Sequence, residues 1–324
     1  MPLEVVKPGL ETTVQDEGRT GVYATGLPPS GAMDKHSYRI ANMLVGNPAG
    51  RAVLEMTYLA AEVGFTEDAT FAVTGAEMGP KLDGEPIESW TSYAVKAGSV
   101  LSFGYLMAGA RAYLAVAGGI DVPEYRGSRS TYTLVGLGGY QGRALAAGDA
   151  LDIGAGIDGT PGRSVPESLR PAYSGETELR GVVGLASYRL EPGSLAELFE
   201  TTWTITTDAN RVGYRYRGTQ LRFTEREQPV GAGSDPSNVV DFGYPVGSLQ
   251  VPGGIEPICL LNDAVTGGGY ATVMTVISID LDRLGQSKSN EKTRFVEVSL
   301  DEALQARRDR QAELARIRET IEAS

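Results

Sequence analysis

Glycine is spread through this chain as single residues, pairs and a triplet, with Gly118-Gly119, Gly138-Gly139, Gly253-Gly254 and Gly267-Gly268-Gly269 falling between short apolar runs. Forty-two of the 324 residues are glycine, roughly twice the usual share. Turns that need a positive φ accept glycine without steric cost, so this spacing favours many short strands joined by tight turns. The same pattern excludes two alternatives. No three-residue glycine period of the collagen kind is present, and 41% of residues are hydrophobic, too many for a disordered chain.

Strands are predicted over residues 69–75, 99–103 and 110–117 in the first half, with Asp83-Gly84 as a hairpin turn between the first two. A helix is predicted over residues 34–45, carrying Ile40, Ala41 and Leu44 at helical spacing and stopped by Gly46-Asn47-Pro48. Residues 154–178 turn to glycine, proline, serine and charge, which reads as a linker near the middle of the chain. Strands return over 203–207, 248–251, 257–261, 271–278 and 294–298. Ser299-Leu300-Asp301-Glu302 has the capping-box pattern that opens a charged helix running nearly to the end. Domains are therefore expected at 1–155 and 179–300, followed by a helix at 301–324. A short repeat fits two related halves: Asp16-x-x-Arg19-x-Gly21 and Asp208-x-x-Arg211-x-Gly213 share one pattern.

The net charge of −12 opposes nonspecific binding to nucleic acid or to an anionic membrane surface. No 18-residue apolar stretch and no apolar leader are found, so a cytoplasmic protein is expected. Cys259 is the single cysteine and lies in the apolar run Pro257–Leu261, which suits a buried small hydrophobe better than a nucleophile.

Phosphate-loop, HExxH and CxxC signatures are absent. His36 is the sole histidine, so a Ser-His-Asp triad or a multi-histidine metal centre is not expected, and His36 itself reads as a surface residue in the first turn of a helix. Proton chemistry then falls to carboxylates, lysine or tyrosine. The densest polar segment runs from Thr13 to Arg19 and continues through Pro28–Asp34. It reads either as a turn in which Asp16 and Arg19 cap one another and Ser30 or Asp34 caps the helix, or as an anion or carboxylate site made by Arg19 and the amides at the helix start. Glu55 is a charge inside the apolar run Ala52–Met56; such a group needs a partner or a cleft. In the second half Arg211, Asp263 and Tyr270 are the counterparts, and the triplet Gly267–Gly269 allows either a ligand or another backbone to approach closely.

Several motifs carry a resemblance: Thr12–Asp16 through Gly18-Arg19, Pro28–Asp34, Ala41–Pro48, Arg111–Pro123 and Gly127–Thr131, then Asp208–Gly213, Gly247–Pro252, Gly268–Tyr270 and Thr275–Ser278. Together they closely resemble the biotin-dependent carboxyltransferase family (KipA, allophanate hydrolase subunit 2), which includes the C component of bacterial 5-oxoprolinase. The resemblance implies a mostly β fold with a few helices, arranged as two cyclophilin-like β-barrel domains. It also implies a KipI-like partner (the B component of 5-oxoprolinase), an A component, and a small amide or lactam substrate. ATP would act through the complex, and biotin only through a separate carrier, since no Met-Lys-Met biotinylation motif is present. No metal is expected. Three activities are compatible: ATP-dependent lactam hydrolysis of the 5-oxoprolinase type, carboxyl transfer to a urea-like substrate, and binding of a kinase inhibitor. On the first reading Asp34, Glu55 and Asp263 are the catalytic candidates, while Arg19, Ser30, Arg211 and Tyr270 bind substrate. The second half departs from the family: where members often have Asp-Arg-Gln-Thr-Thr-Gly-Gly-Tyr-Pro, this chain has Ala264, Val265, Gly267 and Ala271 in place of Arg, Gln, the second Thr and Pro. A Ser-Glu-Gly pattern common in relatives is here Asp241-Phe242-Gly243.

Overall fold

The longest strands of the first half, Ala69–Glu77 and Ala108–Val116, pair antiparallel at the middle of a five-stranded sheet. Residues alternate between the two faces of a strand, and here both faces are apolar. Ala112, Leu114 and Val116 enter one core, while Tyr113, Ala115 and the following Ala117 enter another. The computed structural model describes residues 2–323; Met1 and Ser324, the outer ends of the expected segments 1–155 and 301–324, lie outside the described residues. Most of the elements are strands and four are α-helices among those residues, so the mostly β class with a few helices is borne out.

The chain divides into two units. The first comprises Met1–Thr20, Ser30–Tyr173 and Gln311–Ser324; the second comprises Gly21–Pro29 and Ser174–Arg310. In the first unit the five-stranded sheet runs in the order Glu11–Gln15, Val53–Thr57, Ala108–Val116, Ala69–Glu77, Ser92–Val95. A seven-stranded sheet supplies the opposite wall of one core, with Leu3, Val5, Val63, Phe65, Leu101 and Leu151 all buried. Its edge hairpin, Pro80–Leu82 with Glu85–Pro86, turns through Asp83 (φ 52°) and Gly84 (φ 88°), the doubly positive pair that a two-residue hairpin requires.

The other face of the five-stranded sheet is covered by helices. Ile40, Ala41 and Leu44 of the helix Lys35–Leu44 pack there together with Leu314, Ile317 and Ile321 of the C-terminal helix Leu300–Ala323. Each of the leucine and isoleucine side chains contributes about 1.5–3 kcal/mol by leaving water. This face carries buried polar side chains as well. Glu55 and Tyr113 are cross-strand partners on it, beneath the N-terminal end of the first helix. The fold thereby holds a carboxylate in an apolar layer.

The second unit closes into a seven-stranded barrel. Six neighbouring pairs are antiparallel, and closure comes from the parallel pair Glu176–Val183 with Lys292–Glu297. Trp203, Tyr216 and Phe295 fill its interior, the last two edge to face at 5.3 Å. Cys259 is fully buried and makes no disulfide, and burial pushes its thiol up to about 12. A separate hairpin pairs Asn238–Gly243 with Gly267–Tyr270. The capping box forms as its pattern requires: Ser299 Oγ accepts from Glu302 N–H at 3.2 Å, and Glu302 accepts from Ser299 N–H at 2.7 Å.

Two features differ from expectation. His36 is buried, 5% exposed, where the sequence suggested a surface position; the first turn is tucked into the polar layer above the sheet, flanked by buried Asp34 and Ser37. In the stretch 154–178, read as a linker, Val165 is fully buried and its N–H donates to the Trp90 carbonyl at 2.9 Å, so that part is pinned to the first unit. No helix among the described residues is long and apolar enough to cross a membrane.

Candidate functional site

Asp34 stands at the N-cap of the first helix, where its Oδ1 accepts from Ser37 N–H at 2.9 Å. Its own N–H donates to the Tyr113 hydroxyl at 2.8 Å. That hydroxyl in turn donates to Glu55 Oε2 at 2.9 Å, and the same oxygen accepts from Met33 N–H at 2.8 Å. Arg111 Nε lies 3.7 Å from Glu55 Oε1. Glu55, Asp34, Arg111 and Tyr113 are all at most 2% exposed. Burial, with Glu55 and Asp34 adding to it, raises the Tyr113 pKa far above its ordinary value, so the phenol stays neutral and acts as a fixed donor. Glu55 is thus an anchored carboxylate that holds Met33 N–H and Tyr113 in place.

A second cluster adjoins it through the chain. Asp16 is 6% exposed and accepts from Gly18 N–H, Arg129 N–H and the hydroxyls of Ser128 and Ser130. Arg19, 2% exposed, donates to the Ser130 carbonyl and lies 5.7 Å over the Tyr125 ring. The Asp16 carbonyl accepts from Ala32 N–H at 2.9 Å, and a Cβ on Gly31 would come within 2.8 Å of Gly18 N. Arg19, Ser30, Asp34 and Glu55 are therefore brought into one polar layer of the first unit. Within it Ser30 is distinctive. Its backbone is left-handed (φ 53°), its side chain is fully buried, and its Oγ has no hydrogen-bond partner among the described residues. Strain and an unspent hydroxyl at one residue make Ser30 a candidate for contact with a ligand.

In the second unit Arg211 Nε donates to Asp263 Oδ2 at 2.8 Å, with both side chains under 5% exposed, and Asp263 N–H donates to the Arg211 carbonyl. Tyr270 is 43% exposed; its backbone N–H and carbonyl both bond the Tyr244 hydroxyl. The glycine triplet serves backbone approach: Gly267 and Gly268 pair with Gly243 and Phe242, and a Cβ on Gly268 would meet the Tyr244 ring at 3.0 Å. Tyr244 also borders a cavity of ≈ 390 Å³ with Tyr23, Pro245, Val246 and Thr266. A larger cavity, ≈ 510 Å³, lies in the first unit between the two helices, where Glu17 and Arg39 form a two-pronged pair at 2.7 and 2.8 Å.

Tyr113, Arg111 and Ser130, and Asp16 as the hub of a cluster, do not stand out as site residues in the sequence. Asp16, Arg111, Tyr113, Ser128 and Ser130 all lie inside the family motifs Thr12–Asp16, Arg111–Pro123 and Gly127–Thr131, and that membership is the available signal. The glycines at 136–142 resemble a phosphate loop in composition alone. Cβ atoms on Gly138 and Gly139 would collide with Arg19, Ser130 and Thr131; these glycines admit the Arg19 layer and leave no cradle, so this segment does not fit ATP. Among the described residues no group of His, Cys, Asp and Glu is arranged to hold a metal ion.

Comparison with known proteins gives a consistent picture. Residues 25–297 match the family described as the carboxyltransferase domain, subdomain A and B. The chain is 38% identical over 313 residues to the C component of 5-oxoprolinase from Escherichia coli K12, covering 95% of each. It is 37% identical over 311 residues to a putative urea carboxylase of Emericella nidulans, covering 95% of this chain and 25% of that protein. The crystal structure of Kluyveromyces lactis urea carboxylase superposes with a TM-score of 0.92 at 33% identity, over 98% of this chain and 29% of that one. The chain belongs to the carboxyltransferase domain, subdomain A and B, family.

Proposed function

We propose that the chain is one component of an ATP-dependent amide or lactam hydrolase of the 5-oxoprolinase type, working with a KipI-like B component and an A component. The observation that carries this reading is coverage: the match takes in 95% of the Escherichia coli C component but only a quarter of the urea carboxylase. ATP is handled elsewhere in the complex, as the filled glycine segment 136–142 suggests. In this reading Arg19 and the Ser30 hydroxyl hold the substrate carbonyl or carboxylate, and Asp34 moves the proton that the ring nitrogen needs when its C–N bond breaks. Glu55 sets Tyr113 and Met33 N–H in position. Arg211, Asp263 and Tyr270 are the second unit's candidates.

A second reading, carboxyl transfer to a urea-like substrate from a separate biotin carrier, is favoured by the family description and the TM-score of 0.92 with a urea carboxylase. Reconstitution separates the two. The chain with its A-component and B-component equivalents should hydrolyse ATP only when 5-oxoproline is present. Biotin-dependent carboxylation of a urea-like compound without that turnover sinks the first reading and supports the second. Ser30→Ala is the cleaner site variant, because the lost hydroxyl bonds nothing among the described residues. It should lower kcat/KM by roughly tenfold, the ~1.4 kcal/mol of one substrate hydrogen bond, at an unchanged melting temperature. Unaltered kinetics refutes the Ser30 assignment.

A further inference from the structure

Arg189 is the last residue of a short 3-10 turn in the second unit and is 4% exposed. A buried guanidinium ordinarily faces a carboxylate, because an unpaired charge out of water is costly. Arg189 has none within 4.0 Å among the described residues. Its Nη2 donates to Gln228 Oε1 at 3.3 Å and to the Pro236 carbonyl at 3.0 Å, both neutral acceptors on the loop 224–237. Its Nε is sealed from solvent and donates to nothing among the described residues.

The surroundings sharpen the imbalance. Desolvation, and Arg226 on the same loop, both push the Arg189 pKa down, and no carboxylate opposes them. Asp235 commits its Oδ1 to Ser237, accepting from N–H at 2.8 Å and from Oγ at 2.6 Å. Glu225 and Glu227 flank Arg226 on the exposed part of the loop without reaching Arg189. The buried cation, its idle Nε–H and a second arginine on the covering loop call for a compact negative group.

We propose that Arg189 and the loop 224–237 form an oxyanion-binding site, which takes a phosphate or carboxylate group on the buried guanidinium with Arg226 adding charge at its rim. The site is independent of the catalytic reading given above, since it shares no residue with it.

The test uses the full chain titrated with inorganic phosphate, acetate and chloride at matched ionic strength, so that general screening is constant. Phosphate, acetate or both should raise the melting temperature progressively with the logarithm of concentration, as a ligand of the folded state does; the more effective of the two identifies the group bound. Arg189→Gln should abolish the shift, and Arg226→Gln should weaken binding by a few fold. Should Arg189→Gln fail to fold, hydrogen exchange on the wild-type chain decides: phosphate should slow the amides of residues 224–237. A response no larger than that to chloride, an undiminished shift in Arg189→Gln, or slowed exchange confined to other segments overturns the proposal.

Discussion

The two Asp-x-x-Arg-x-Gly loops share a pattern in sequence and use it in opposite ways. In the first, Asp16 is the buried hub, accepting from two hydroxyls and two backbone amides, and Arg19 donates to a carbonyl. In the second, Arg211 is the buried member, held by the distant Asp263, while Asp208 has 75% of its side chain in solvent. Burial of the arginine is common to both. What differs is which member the contacts secure: in one unit the loop's aspartate is the hub and its arginine bonds the Ser130 carbonyl, in the other the arginine is paired with a carboxylate 52 positions away. A repeat visible in sequence thus preserves a position, the buried arginine, and leaves the electrostatic solution free.

The sharpest way to break this comparison is to remove the distant partner. Asp263→Ala takes the carboxylate from a buried guanidinium and should destabilise the chain by about 3–5 kcal/mol, read as a lower urea midpoint at constant slope. Replacing both members, Arg211→Met with Asp263→Leu, should cost less than Asp263→Ala alone, since no buried charge then remains. A double variant at least as unstable as the single one shows that Arg211 is held by something besides the pair.

Asp16→Ala tests the other loop. It strips the acceptor from Ser128, Ser130, Gly18 and Arg129 at once, and a cost of about 2–3 kcal/mol is expected, because the hydroxyls can turn to new acceptors while the amides cannot. Melting and urea curves measure it. Loss under about 1 kcal/mol, the net worth of a single hydrogen bond, means that the Ser128–Ser130 loop is held by its own packing.

How much of this was readable from sequence depended on distance along the chain. The capping box at Ser299 and the Asp83-Gly84 turn are local, and both were visible. Glu55 announced itself as a charge in an apolar run. Tyr113, in a similar run, did not, because a tyrosine there is ordinary and its partner lies 58 residues away. Asp16 and Ser130 are 114 residues apart; nothing in either segment names the other, although each lies in a motif of the family. His36 was misplaced for a related reason: the polar layer that buries it is assembled from several separated segments, and helical position alone does not reveal it.

The smallest effect is the most telling for the comparison. Asp208 is 3.7 Å from Arg215, whose guanidinium also reaches Glu256 at 3.1 Å. With Asp208 and Arg215 side chains 75% and 40% exposed, solvent screens the pair, and Arg215 keeps a second partner when Asp208 is lost. Asp208→Ala should therefore change stability by no more than about 0.5 kcal/mol. Raising the salt concentration should erase even that difference, whereas the Asp16 and Asp263 variants should keep theirs, because buried partners are screened far less. A cost for Asp208→Ala comparable to that of Asp16→Ala, persisting in high salt, means that the aspartates of the two loops do equivalent work after all. The buried arginine would then be only half of what the repeat preserves.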